Sequence, residues 1–367
     1  MNDKPRLFGI ERSNRDYTVA DTWGKNQFNS SFPASLACYL HSKGMKAVYI
    51  KAKPDMKRDL QYIGIDELYG IDPLGDDIFF SFETQYTPFQ KYVVGAIPRD
   101  DLVILSDGQC VSSIEIKLVA LPDNPTCNLS EDKFGSEIVV RPDTIIYLAC
   151  SFIQSYEDNP EALRNVIGDA GRNVRDWTEA GEVLPYMDEI YWAIRRMVSE
   201  KNECQSPIIM EPVWKTEGKS PRLADHCLDI FVWSNFGMLN LFMPEENEEF
   251  RTITRHTRTM IWLFKMLQEY AEKGRFNGAK IIDTLSYNLK NDKAFASNGL
   301  RTHPIMTCAE LTKPRITKGE IRKVILGGGQ YLLSPERRFD AIIYNSPDLD
   351  AKSNRFILWM WRLIARI

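Results

Sequence analysis

The segment Leu102-Val103-Ile104-Leu105-Ser106-Asp107-Gly108-Gln109, continued through Cys110 to Ser113 and then Ile114-Glu115-Ile116-Lys117-Leu118, constrains this chain more than any other stretch. Two runs of strand-forming residues flank Asp107-Gly108, a dipeptide suited to a tight hairpin turn, so the segment reads as strand, turn, strand. Side chains alternate between the two faces of a strand. Ile114, Ile116 and Leu118 therefore take one face, toward a core, and Glu115 and Lys117 take the other together. Asp107 sits at the mouth of the same hairpin.

This pattern has a chemical reading. Asp107 and Glu115 are expected to converge, and two carboxylates make a site for a hard, oxygen-loving cation such as magnesium. The ion would polarise a phosphodiester and stabilise charge on its attacking and leaving oxygens. A lysine on the same face can orient or deprotonate the attacking water, which assigns that role to Lys117. The spacing Asp-x7-Glu-x-Lys resembles that of the PD-(D/E)xK nucleases, with Ser106 standing where proline is usual. Strand context leaves two readings, a nuclease site or a structural ion pair on a sheet face.

Strand context also separates this match from a decoy. Pro122-Asp123 with Glu131 and Lys133 repeats the motif literally at the same spacing. It lies in the turn-rich stretch Asp123-Asn124-Pro125-Thr126-Cys127-Asn128-Leu129-Ser130, where Glu and Lys cannot be held on one rigid face. Glu217-Gly218-Lys219 is a further chance match. Gly218-Lys219-Ser220 is not a phosphate-binding loop, since Val213 stands in place of its first glycine, and Gly327-Gly328-Gly329 is no dinucleotide fingerprint. The four histidines are scattered in no metal or triad pattern. The seven cysteines include no Cys-x-x-Cys pair, so buried free thiols in a reducing cytoplasm are expected, and zinc is not. Met1 to Arg6 begins no apolar signal segment, and the apolar run Phe356 to Ile367 is too short to span a bilayer.

Charge is divided unevenly. Arg251 to Ile367 holds 21 Lys+Arg and 10 Asp+Glu, net +11, whereas Met1 to Phe250 is net −15. A basic C-terminal third suggests a polyanion partner; pairing between the two halves is the other reading.

Further elements follow from periodicity. A helix start is expected at Ser30-Ser31-Phe32-Pro33, strands at Ala47 to Ile50, Pro207 to Met210 and Leu228 to Trp233, and a helix at Pro88 to Val94. Ile138 to Ile153 reads as a strand that can finish as a helix, and Asn159 to Val198 as helical. A long helix is expected from about Glu248 to Lys273, with Ile253, Met260, Phe264, Leu267 and Ala271 on one face. Arg251, Arg255 and Arg258 fall on the opposite face, as a phosphate-tracking stripe or simply a solvated surface. The expected division is residues 1–155 with the catalytic core, 156–275 completing it, and a basic 276–367 contacting DNA.

Three segments carry a closer likeness. Thr22-Trp23-Gly24-Lys25-Asn26-Gln27-Phe28-Asn29-Ser30-Ser31-Phe32-Pro33 resembles the N-terminal signature of the HindVP-like type II restriction endonucleases. Glu115 to Asp123 resembles that family's catalytic strand, and Pro212 to Ser220 is also similar. The resemblance implies an α/β (α+β) fold with a restriction-endonuclease-like core, a mixed sheet flanked by helices. It implies magnesium-dependent cleavage of both strands of a short palindrome, with G-R-C-G-Y-C associated with the group. The implied partners are double-stranded DNA, a second copy of the chain as a homodimer, and a cognate methyltransferase of the same system. Catalytic roles carry to Asp107, Glu115 and Lys117, with Asp107 and Glu115 as metal ligands and Glu83 as an extra outer-sphere ligand from the preceding segment. Lys215, Lys219, Lys313, Arg315 and Arg322 are candidates for DNA contact, because Arg and Lys read G·C pairs in the major groove. A DNA-binding protein with a weak or inactive nuclease core is the alternative.

Overall fold

The computed structural model describes residues 41, 43–52, 58–64, 66–67, 70, 72, 78–117, 139–201, 214–217, 220–223, 226–227, 231–233, 239, 250–287, 295–296 and 316–317, many strand positions by backbone alone. The expected elements at Ser30 to Pro33 and Pro207 to Met210, the decoy motif, Gly327 to Gly329 and Phe356 to Ile367 lie outside these residues.

In chain order the strands are β1 (Ala47–Ala52), β2 (Arg58–Ile63), β3 (Ile78–Thr84), β4 (Asp100–Ser106), β5 (Gln109–Lys117), β6 (Val139–Val140), β7 (Trp214–Glu217), β8 (Ser220–Leu223), β9 (His226–Cys227), β10 (Phe231–Trp233), β11 (Phe295–Ala296) and β12 (Ile316–Thr317). The helices are α1 (Pro142–Ser155), α2 (Pro160–Ile167), α3 (Ala180–Val183), α4 (Met187–Glu200), α5 (Arg255–Lys273) and α6 (Gly278–Thr284). The class is α+β. A four-stranded sheet of order β10-β5-β4-β3 is the largest among the described residues. All strand ladders described are antiparallel, where a mixed sheet was expected.

The expected strand within Ile138 to Ile153 shrinks to β6, and α1 takes the rest. Pro142 explains the switch, because proline is preorganised for the first turn of a helix and donates no hydrogen bond to a strand. The run after it is apolar all round: every residue from Thr144 to Ile153 is buried, as befits a helix covered on all sides.

The core centres on α5, which packs against α1, α2, α4 and α6. Thr254 caps its start by accepting from the Thr257 amide at 3.1 Å, and Gly274, at φ 73°, ends it in the left-handed conformation that glycine adopts without strain. The helix thus begins at Arg255 rather than near Glu248. Thr257 to Phe264 are buried without a break, so the two-faced pattern read from sequence is overridden by packing on several sides. Arg258 is the correction this brings. Its side chain is 1% exposed, with the guanidinium 4.6 Å over the Trp262 ring and Nη1 donating to the Ser286 carbonyl, so it tracks no phosphate.

One close approach at this core needs glycine. Gly171, at φ 66°, lies where a Cβ would meet the Trp177 ring at 2.7 Å, and Trp177 stacks on Phe264 with centroids 6.0 Å apart. The sheet joins the same core through Val103 of β4, which is fully buried, with Leu105 and Cys110 packed beside it.

Candidate functional site

The hairpin expected from sequence forms as β4 and β5. Asp107 and Gly108 are its two turn residues, with φ of 47° and 77°, between the paired residues Ser106 and Gln109. Positive φ at both positions defines a type I′ turn, whose twist matches that of the flanking strands and which favours Asp-Gly. Asp107 is therefore the residue the turn demands, and it is exposed at the hairpin tip.

That position separates Asp107 from Glu115. Glu115 lies six residues along β5 from Gln109, which adjoins the turn. At about 3.3 Å per residue the two are roughly 20 Å apart along the strand. In this register Asp107 stands at the hairpin tip and Glu115 well along β5, and the Asp-Gly pair also meets the demands of the turn.

The register brings other acids to Glu115. Leu102 pairs with Ile114 and Val103 with Ser113, so the next rung sets Asp101 opposite Glu115. On the other side of β4, Phe82 pairs with Leu102 and Thr84 with Asp100, which sets Glu83 opposite Asp101. Trp233 of β10 pairs with Glu115 across the remaining edge. Positions 83, 101 and 115 thus form one row across three adjacent strands, and residues opposed in a row share a face of the sheet. Lys117 stands two residues beyond Glu115, on that face, paired with Phe231. The neighbouring Asp100 is separate in kind: it is 3% exposed and accepts a hydrogen bond from the Ser113 hydroxyl.

A carboxylate row of this kind fits a divalent hard cation, since all its donors are oxygens and closely placed acids repel one another unless a cation lies among them. Among the residues with described side chains, no group of three or more His, Cys, Asp or Glu is gathered at a metal position, so the row rests on backbone register.

The sequence reading did not place Asp101 opposite Glu115, although the signal for that pairing was partly present. Counting back from a two-residue turn pairs Ser106 with Gln109 and, in an unbroken ladder, Asp100 with Glu115. A β-bulge intervenes: Leu105 pairs with Cys110 but Ile104 with Ser112, leaving Val111 as the extra residue. The one-residue shift moves the rung from Asp100 to Asp101.

Of the expected DNA contacts, Lys215 lies on β7 and pairs with Arg222 of β8. Lys219 falls in the connection between these strands, and it lies, with Lys313, Arg315 and Arg322, outside the described residues. Among the described residues no helix is long and apolar enough to cross a membrane.

Known proteins bear on this arrangement. The family model described as HindVP restriction endonuclease matches residues 23–350. A protein of Haemophilus influenzae named "Probable type II restriction enzyme HindVP" is 46% identical over 353 residues, covering 95% of this chain and 96% of that protein. The "Type II restriction enzyme HgiDI" of Herpetosiphon aurantiacus is 41% identical over 356 residues, covering 95% and 97%. No solved structure matches.

Proposed function

This chain belongs to the HindVP restriction endonuclease family, and from that premise we propose that it is a magnesium-dependent type II restriction enzyme whose active site is built on the row Glu83, Asp101 and Glu115 with Lys117. The reaction is hydrolysis of phosphodiester bonds in both strands of a short palindrome, G-R-C-G-Y-C by kinship, by a homodimer in the bacterial cytoplasm beside its cognate methyltransferase. The observation that carries the site is the register placing Asp101 opposite Glu115. The sheet and its helical layer form a restriction-endonuclease-like core in this reading.

Asp101 and Glu115 would hold the ion, with Glu83 at the next position of the row as an outer acid. Bound magnesium would polarise the scissile phosphate and favour hydroxide over water as nucleophile. Lys117 holds the attacking water in line with the phosphorus and takes up or shares its proton. Register puts the four positions on one face of the sheet, which supports a site needing little reorganisation as charge develops.

Metal dependence gives the direct test. Supercoiled plasmid should be cut at one discrete sequence with magnesium, and no cutting should occur in excess chelator. Calcium should support tight specific binding with little cutting, because its longer and looser coordination fills the carboxylate site without aligning the water. Robust cutting in chelator would sink the metal mechanism, while cutting at another palindrome would refute only G-R-C-G-Y-C.

DNA contact is assigned to Lys215, Lys219, Lys313, Arg315 and Arg322, of which Lys215 lies on β7. Register adds Arg222 opposite Lys215. Like charges directly opposed weaken a strand pair, and a phosphate between them removes that cost. The major groove also admits a two-stranded ribbon of this size. A Lys215→Ala, Arg222→Ala double variant should weaken DNA binding at least about tenfold and flatten its salt dependence by roughly two contacts. Unchanged salt dependence in a gel-shift titration would remove the hairpin from the interface.

A further inference from the structure

We propose that Tyr147 of α1 is a positioning residue for the acidic row, fixing the separation of the strand ends that carry Glu83 and Asp101. The inference rests on the reading of that row given above. Tyr147 is 6% exposed. Its hydroxyl donates to the Pro98 carbonyl at 2.9 Å and accepts from the Tyr86 amide at 3.0 Å. Tyr86 lies three residues beyond Glu83, and Pro98 three residues before Asp101. One oxygen thus ties the chain leaving β3 to the chain entering β4, and fastens both to the helical layer.

The connection between the strands has its own links. Gln85 Nε2 donates to the Ile97 carbonyl at 2.6 Å, and the Ile97 amide donates to Gln90 Oε1 at 3.0 Å. These hold the loop to itself. Farther along, the loop is also tied to the helical layer, with Tyr92 donating to Glu157 at 2.9 Å and the Val94 amide to the Phe276 carbonyl at 2.8 Å. Tyr147 supplies the anchor at the two strand ends, and its ring packs against Phe89 with centroids 5.8 Å apart. The ring fills space, whereas the hydroxyl alone makes the tie. A buried amide and a half-buried carbonyl converge on it, and losing a partner lets both shift toward other donors and acceptors. Carboxylates that share an ion tolerate little relative movement, so the displacement is read as metal affinity.

The test is Tyr147→Phe, which keeps the ring and its packing. Its control is Tyr156→Phe at the C-cap of the same helix, where Tyr156, 2% exposed, donates to Glu200 Oε2 at 3.2 Å. Calcium-supported binding is followed by fluorescence anisotropy on a duplex carrying the sequence that the wild-type enzyme cuts. Tyr147→Phe should raise the half-saturating calcium about tenfold, the lower range for groups behind metal ligands. The half-saturating magnesium for cleavage should rise in step, with kcat at saturating magnesium within about threefold, because the reacting groups themselves are intact. Tyr156→Phe should leave both curves unmoved. An unchanged calcium curve in Tyr147→Phe, or an equal shift in Tyr156→Phe, overturns the inference. Full cleavage by Asp101→Asn removes the acidic row and the inference with it. A dead Asp101→Asn beside an unshifted Tyr147→Phe removes only the role of Tyr147.

Discussion

Glu115→Gln and Asp101→Asn should each lower the cleavage rate at saturating magnesium by about 10³-fold or more, while Asp107→Asn stays within a few-fold of wild type. Removing one carboxylate charge from a site that binds a divalent ion forfeits several kcal/mol of transition-state stabilisation, and each 1.36 kcal/mol is about tenfold in rate. Specific DNA binding should survive, because base and phosphate contacts set affinity whereas water and metal positioning act on the transition state. Asp107 differs because it stands at the hairpin tip, roughly six strand residues from the row. Asparagine is at home in the first position of a type I′ turn, so Asp107→Asn tests the carboxylate without disturbing the fold. Lys117→Ala should match the loss in Glu115→Gln, since in the proposed mechanism the lysine aligns the water. Single-turnover cleavage with each variant decides the matter. A dead Asp107→Asn beside an active Asp101→Asn, both folded, would return the site to the hairpin mouth.

Trp262→Ala should cost about 3–5 kcal/mol of stability, the range for truncating a fully buried aromatic side chain. Trp262 is 1% exposed at the centre of α5, and its Nε1 donates to the Leu285 carbonyl at 2.8 Å, linking α5 to the end of α6. The indole also lies under the Arg258 guanidinium, so alanine would leave a buried cation without its aromatic face. A domain of ordinary stability has only about 5–15 kcal/mol to lose, so the variant should unfold near room temperature or fail to accumulate. Trp262→Phe should retain most of the packing and lose the hydrogen bond, costing about 1–3 kcal/mol. Urea unfolding followed by circular dichroism separates the two. An alanine variant within 1 kcal/mol of wild type would mean that α5 is not the centre of the core.

Local chemistry made several elements readable from the chain alone. The β4–β5 hairpin follows from strand-forming runs around Asp107-Gly108, because few dipeptides accept two successive positive φ angles. The helical stretch after Asn159 follows from its cap, since the Asn159 side chain accepts from the Ala162 amide at 3.2 Å. Placing Glu115 and Lys117 on one face needed only the two-residue period of a strand. The failures lie where neighbours decide. Arg258 looked like a solvent-facing member of a basic stripe, but α5 is enclosed on several sides and an aromatic face covers the charge. The run from Ile138 is too uniformly apolar for periodicity to distinguish a buried strand from a buried helix. β3, which carries Glu83, lies in Ile78–Thr84, where Phe79, Phe80 and Phe82 interrupt a strict alternation of polar and apolar residues.

The acidic row shows the division most sharply. Sequence by itself determined the family, the strand bearing Glu115 and Lys117, and the turn that starts the hairpin, because each depends on residues close together in the chain. It could not determine which aspartate stands opposite Glu115. That choice rests on the extra residue Val111, which slides β5 by one position against β4 between the turn and the site. A bulge is a property of two paired strands, and a slip of one residue exchanges faces along the whole ladder beyond it. The pairing of the two strands therefore sets Asp101 opposite Glu115, with its neighbour Asp100 buried against Ser113 and Asp107 at the turn.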